Sequence, residues 1–176
     1  MWSLRAQHLM LNKTIAQTQS YAAILIRDGM RIALAHSITG IARGQLLDLR
    51  KSIHEGDAPM QGRMPNDTMG YIKSGQSPVA LATVVAVYFG AERKLRSPVE
   101  AFMDAWAVAK LFADGATPID INAAWYAVRD VKSGWVSWNF CRNCKAGYLL
   151  DTKQTKKTDN CPYCGMQKQK RHEVAQ

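Results

Sequence analysis

All four cysteines of the chain stand in one short stretch, as Cys141-x2-Cys144 and Cys161-x2-Cys164 with sixteen residues between the pairs. Two residues between cysteines let a tight turn aim both thiolates at one ion, and two such turns complete a tetrahedron with no open position. The spacing therefore predicts one structural zinc ion held by Cys141, Cys144, Cys161 and Cys164, a closed site that does no metal catalysis. In the second half-site Pro162 stiffens the turn, and Gly165 is free to take the positive φ that the chain needs on leaving it. Two disulfides or a redox pair would use the same residues. The paired short spacings suit metal better, and no secretory context supports bridges.

At 176 residues the chain has room for one solid core and a small appended module. Apolar residues dominate 1–140 while Gly and Pro gather in one place, which argues for an all-α helical bundle (1–140) carrying a small, basic, four-cysteine zinc-binding module (141–176). The N-terminus lacks the continuous apolar core of a signal peptide, and the longest apolar stretch, 79–91, is too short to span a bilayer, so a cytoplasmic protein without membrane contact is expected. Net charge is +9. Residues 141–176 hold eight Lys or Arg against three Asp or Glu, a surplus of five, while 1–140 hold fifteen against eleven. That electropositive end favours a polyanion such as nucleic acid, although a solubilising tail would have the same composition.

Residues 3–37 have apolar positions near helical spacing, Leu4, Leu11, Ile15, Ala22, Ile26 and Ile32, and form one long helix or two broken at Gly29. A shorter amphipathic helix follows from Ala42 to Ile53, with Leu46, Leu49 and Ile53 on one face and Gly40 at the corner before it. From His54 to Ser77 the pattern stops, in a Gly- and Pro-rich connection too long for an ordinary loop. Three helix starts then recur at intervals of twenty residues, Ser77-Pro78, Ser97-Pro98 and Thr117-Pro118, each with a hydroxyl at the N-cap and proline at the first helical position. Glu100 and Asp120 extend the last two toward capping boxes. The following helices have broad apolar faces and should pack as a bundle, with Trp106 and Trp125 as packing residues and Trp135 and Trp138 placed to brace the zinc module.

Two surfaces are candidates for DNA. The segment 33–53 has the form of a helix-turn-helix unit, in which Arg43 and Gln45 would face base edges and Arg50 and Lys51 phosphates; a solvated bundle helix would look the same. The zinc module supplies Arg142, Lys145, Lys168, Lys170 and Arg171 for phosphates. Tyr148 and Tyr163 would either stack on bases or cover the metal.

The order of these parts resembles the FlhC family of flagellar transcriptional activator subunits, which work with FlhD. Thr39 to Lys51, TGIARGQLLDLRK, is similar to the family's Thr-x-Leu-Ser-Arg-Gly-x-Leu segment, and a connection reading Gly56…Pro59…Gly62…Pro65 follows it. Ala124-Trp125-Tyr126-Ala127-Val128-Arg129, then Ser133-Gly134, then the four cysteines, resemble the family's Ala-Trp-x-x-Val-Arg, Ser-Gly and zinc signature in the same order, over roughly residues 15 to 171. The resemblance implies an all-α protein with zinc on the four cysteines, assembling with an FlhD-type subunit to bind promoter DNA and recruit RNA polymerase. Two departures are the short tail after Cys164 and a 66–77 stretch with Tyr71 alone where the family has several aromatic residues.

The expected function is a DNA-binding subunit of a bacterial activator of flagellar genes. A zinc-stapled scaffold that contacts only proteins is the alternative. An enzyme is not expected: His8, His36, His54 and His172 are scattered, and no carboxylate pair or phosphate-binding glycine loop accompanies them.

Overall fold

The computed structural model of the chain describes residues 4–55, 64–94, 96–112, 118–152 and 164, with side chains from residue 14 onward except at 112. Its helices are α1 (Leu4–Arg27), α2 (Ile32–Thr39), α3 (Arg43–Ile53), α4 (Thr68–Lys73), α5 (Pro78–Glu92), α6 (Pro98–Phe112) and α7 (Ile121–Lys132). Two antiparallel strands follow, β1 (Val136–Phe140) and β2 (Gly147–Asp151), paired so that Trp138 faces Leu149 and Phe140 faces Gly147. The all-α expectation is corrected by this hairpin: the protein is mostly helical with a small two-stranded sheet.

The long N-terminal run is two helices. Gly29 lies at φ 92, and beyond it the Met30 N–H reaches back to the Leu25 carbonyl at 2.8 Å, a closing turn that needs a residue tolerant of the left-handed region. Gly40, at φ 72, ends α2 in the same conformation before α3. Helices α1, α2 and α3 pack on one another around Leu25, Ile26, Ala35 and Leu46, all buried.

The starts at Ser77 and Ser97 form as their sequence predicts. Ser77 Oγ accepts from the Ala80 N–H, and Ser97 and Glu100 exchange bonds at 3.0 and 3.4 Å as a capping box. The third start is displaced. Helix α7 begins at Ile121 with Asp120 as its N-cap, the carboxylate accepting from Asn122 N and Ala123 N at 2.7 and 3.4 Å. The Asp120 N–H itself goes to Gln76 Oε1 at 2.9 Å and the Pro118 carbonyl accepts from Gln76 Nε2, so 118–120 are tied to the α4–α5 link and are not helical. Thr117 lies outside the described residues. Helix α4 is a second correction, lying within the stretch read as patternless: Asp67 caps it through the Gly70 N–H at 2.7 Å.

Helix α5 is apolar on every side and lies centrally, touching α6, α7 and β2. Leu81, Val84, Val85 and Tyr88 from it meet Phe102, Ala105, Ile121, Ala124 and Val128, with Val136 and Leu149 of the hairpin in the same core. Trp125 sits edge-on to both Phe102 and Tyr88, with ring centroids 5.1 and 6.5 Å away.

One polar clamp ties the end of α1 to α6. Asp28 accepts from Trp106 Nε1 at 2.7 Å, Lys110 Nζ at 2.9 Å and Arg27 Nε at 3.3 Å. Burial raises the Asp28 carboxyl, but those three donors outweigh it and hold it below its ordinary value. A carboxyl depressed on folding stabilises fully above its unfolded value near 4 and loses that contribution as pH falls through the lower, folded value. Asp28→Asn should therefore lower stability by about 1 to 2 kcal/mol at pH 7, the range of a charge-assisted bond to a partly exposed group. In urea titrations the difference from the parent should shrink at pH 3; a difference unchanged between the two pH values would mean that charge is not what Asp28 contributes.

Candidate metal centre and nucleic-acid face

Strand β1 ends at Phe140 and delivers Cys141 directly into a tight turn. The Cys141 N–H donates to the Ala146 carbonyl at 2.9 Å and the Lys145 N–H to the Cys141 carbonyl at 3.0 Å, closing the loop 141–146 on itself. Lys145 lies at φ 60, the single non-glycine in the left-handed region among the described residues. It follows Cys144 as Gly165 follows Cys164, so the positive φ that the sequence assigns to a glycine in the second half-site is taken by a lysine in the first. The backbone turns there to carry the Ala146 carbonyl back onto the Cys141 N–H.

The Sγ atoms of Cys141, Cys144 and Cys164 all lie within 4.8 Å of one another, and Cys141 and Cys164 are 3.6 Å apart. Thiolates on a tetrahedral ion, with metal–sulfur bonds of about 2.3 Å, stand roughly 3.8 Å from each other. A disulfide would hold its sulfurs at about 2.05 Å. The three thiols stand at ligand spacing, and the soft, converging donor set is compatible with a metal site. Cys161 lies outside the described residues. Cys141 is buried, whereas Cys144 and Cys164 are exposed. Asn143 Nδ2 points at Cys164 Sγ from 3.7 Å, a contact that links the first turn to the second half-site.

The hairpin has two unlike faces. Val136, Trp138 and Leu149 turn toward the helices, while Tyr148 and Leu150 on the other face cover Cys141. Tyr148 is buried, so of the two roles open to it, covering the cysteine turn is the one it fills. Trp138 packs on the helical core, but Trp135 is exposed at the far end of the strand.

The basic candidates fall on separate elements. Arg142 and Lys145 are exposed on the cysteine turn, and Lys145 Nζ is tethered to the Arg142 carbonyl at 2.7 Å. Lys168, Lys170 and Arg171 lie outside the described residues. On α3, Arg43, Gln45 and Lys51 are exposed and Arg50 is half-buried, with Leu46 buried beneath them. Lys51 pairs with Asp48 at 3.5 Å, both highly exposed, a contact too solvated to hold either in place. The N-cap of α3 is Ala42, whose carbonyl accepts from the Leu46 N–H at 3.1 Å but which has no side-chain oxygen to cap the first-turn N–H groups. The corner before it is firm: His36 Nδ1 lies 2.8 Å from the Ile41 carbonyl, and the Ile41 N–H donates to Thr39 Oγ1.

Two exposed apolar residues on these elements escaped the sequence reading. Leu47 is 46 % exposed one turn from both Arg43 and Lys51, and Phe140 is 58 % exposed beside the cysteine turn. Leu47 was legible as a second leucine where an amphipathic helix needs one. Phe140 was not, because strand alternation places it on an inward face.

A match to the family "Flagellar transcriptional activator (FlhC)" spans residues 10–174. The chain belongs to the FlhC family. Three proteins named flagellar transcriptional regulator FlhC are similar to it. That of Gallionella capsiferriformans (strain ES-2) is 27 % identical over 157 residues, covering 85 % of this chain and 84 % of its own. That of Proteus mirabilis is 24 % identical over 147 residues, 80 % of this chain and 74 % of its own. That of Serratia marcescens is 26 % identical over 166 residues, 89 % and 84 %. The family is one of transcription regulators of flagellar genes, which fits a non-enzymatic protein. Among the described residues no helix is long and apolar enough to cross a membrane.

Proposed function

We propose that this chain is the DNA-contacting subunit of a bacterial activator of flagellar genes, acting in the cytoplasm with an FlhD-type subunit and RNA polymerase. The supporting observation is the cysteine turn, which gathers three thiols at ligand distance and carries Arg142 and Lys145 exposed on the same loop. Zinc held by Cys141, Cys144, Cys161 and Cys164 would be fully ligated and structural, supplying folding energy to a segment with little apolar area of its own. In this reading the helical domain is 1–140 and the basic module 141–176, with β1 as the strand that joins them. Arg142, Lys145, Lys168, Lys170 and Arg171 grip phosphates, and Arg43, Gln45, Arg50 and Lys51 on α3 form a second contact.

The test is binding of the zinc-loaded chain to a flagellar promoter fragment and to a scrambled duplex, with and without the co-purified FlhD-type subunit, across a salt titration. Preference for the promoter that strengthens with the partner is the expected result. Replacing Lys168, Lys170 and Arg171 by Ala together should weaken binding to both duplexes and reduce the slope of log K against log salt by up to about 2.7, three phosphate contacts' worth. An unchanged slope removes that tail from the DNA footprint. The scaffold alternative, which draws on exposed apolar side chains such as Leu111, 75 % exposed, requires that neither duplex binds even at low salt.

A further inference from the structure

We infer that Phe140 is a base-contacting ring, set against a base step of the bound duplex while Arg142 and Lys145 hold the flanking phosphates; this rests on the DNA-binding reading above. Phe140 is the last residue of β1 and shares its face with Val136 and Trp138, so alternation alone would bury it. Val136 is buried as expected, yet Phe140 stays 58 % exposed. Its cross-strand partner is Gly147, which has no side chain to lay over it. A Cβ at Gly147 would meet Trp138 Nε1 at 3.1 Å and Phe140 Cε1 at 3.5 Å, so both rings already crowd that backbone. The Trp138 ring braces Phe140 from one side, centroids 4.8 Å apart and planes at 56°. The ring is therefore held in place by its neighbours with its outer surface uncovered. Shielding the Gly147 backbone accounts for one edge of it and leaves the rest without a structural partner among the described residues.

The surroundings decide what would cover that surface. From Phe140 to Leu150 there is no Asp or Glu, and Arg142 and Lys145 are exposed on the turn that follows Phe140. Lys145 Nζ is tied to a backbone carbonyl, which fixes its position without neutralising its charge. An apolar protein partner would have to desolvate these cations unpaired. A nucleic acid offers phosphates for the cations and a π-face for the ring, and phenylalanine is among the side chains that wedge into base steps.

Phe140→Ala, Phe140→Trp and Arg142→Ala, each in the full zinc-loaded chain with its partner subunit, separate these roles. Phe140→Ala should lower affinity for the promoter duplex roughly 10-fold or more at every salt concentration with the salt slope unchanged, because a stacking contact releases no counterions. Phe140→Trp should retain parental affinity, and Arg142→Ala should instead reduce the slope by about 0.9. Zinc content and melting of Phe140→Ala should match the parent. Parental affinity in Phe140→Ala overturns the inference, as does loss of affinity accompanied by loss of zinc, which would make the ring structural. Normal DNA binding with reduced recovery of the partner subunit also overturns it and assigns the ring to a protein interface. If the parent binds neither duplex, the DNA-binding reading itself fails and this inference falls with it.

Discussion

Cys144→Ser should abolish stoichiometric zinc binding and unfold the cysteine turn while leaving the helical core folded. Cys144 is exposed, so its replacement removes a ligand without removing packing. The four-thiolate site would supply about 10 to 16 kcal/mol at neutral pH, and a set reduced to three soft ligands keeps only part of that. The consequences should stay local. Cys141, Tyr148 and Leu150 form a small cluster apart from the main core, which holds Val136 and Leu149 but draws most of its buried residues from the helices. Thermal melts should show a low-temperature transition that the parent lacks, and a chelator added to the parent should reproduce it. Cys141→Ser should behave in the same way but worse, since Cys141 is buried and its loss also opens the cluster. Full zinc content with unchanged melting in both variants would show that the thiols are not ligands.

What the sequence made legible follows the range over which each feature is determined. The cysteine pairs are read from spacing because a two-residue gap sets the turn locally, and the three described thiols converge accordingly. The starts at Ser77 and Ser97 are likewise local, each decided within three residues. Thr117-Pro118 has the same local signal, but Asp120 offers a stronger acceptor three residues on, and the Gln76 side chain, 44 residues earlier, takes the Asp120 N–H. No inspection of residues 117–121 contains that bond.

The hairpin escaped for a related reason. Val136, Trp138 and Phe140 alternate with Ser137 and Asn139 over five residues only, and such a strand is stable because Val136 and Leu149 dock on helices α5 and α7. The paired cysteines did announce a turn at 141–144, and a turn between two short apolar runs is where a hairpin was to be sought. Of the candidate DNA contacts, Arg43, Gln45, Lys51, Arg142 and Lys145 are exposed. Exposure alone does not separate a reader of DNA from a solvated surface, and titrating salt against single substitutions does.

Asp130→Ala should be the most damaging single substitution in the helical part of the protein, at about 3 kcal/mol. Asp130 is 1 % exposed near the end of α7. One carboxylate oxygen accepts from the Thr68 N–H at 2.8 Å and from Thr68 Oγ1 at 2.7 Å; the other takes Arg129 Nε and Nη2 at 2.9 and 2.7 Å. Arg129 Nη2 also reaches the Asn66 carbonyl at 2.8 Å, so the pair fixes the chain entering α4 from two sides. Removing the carboxylate strands a buried N–H and a buried hydroxyl and leaves the guanidinium with the Asn66 carbonyl and solvent. Breaking a buried pair typically costs 3 to 5 kcal/mol, and the partial exposure of Arg129 places this one at the low end. For a domain with about 5 to 15 kcal/mol in all, that is a large share. Thr68→Val, which loses the hydroxyl bond and keeps the backbone one, should lose about 1 kcal/mol. In the double variant the two losses should fall short of their sum, because the Thr68 hydroxyl has already lost its acceptor. An unfolding free energy for Asp130→Ala, from urea titration, within about 1 kcal/mol of the parent would mean that α4 is held by its packing alone.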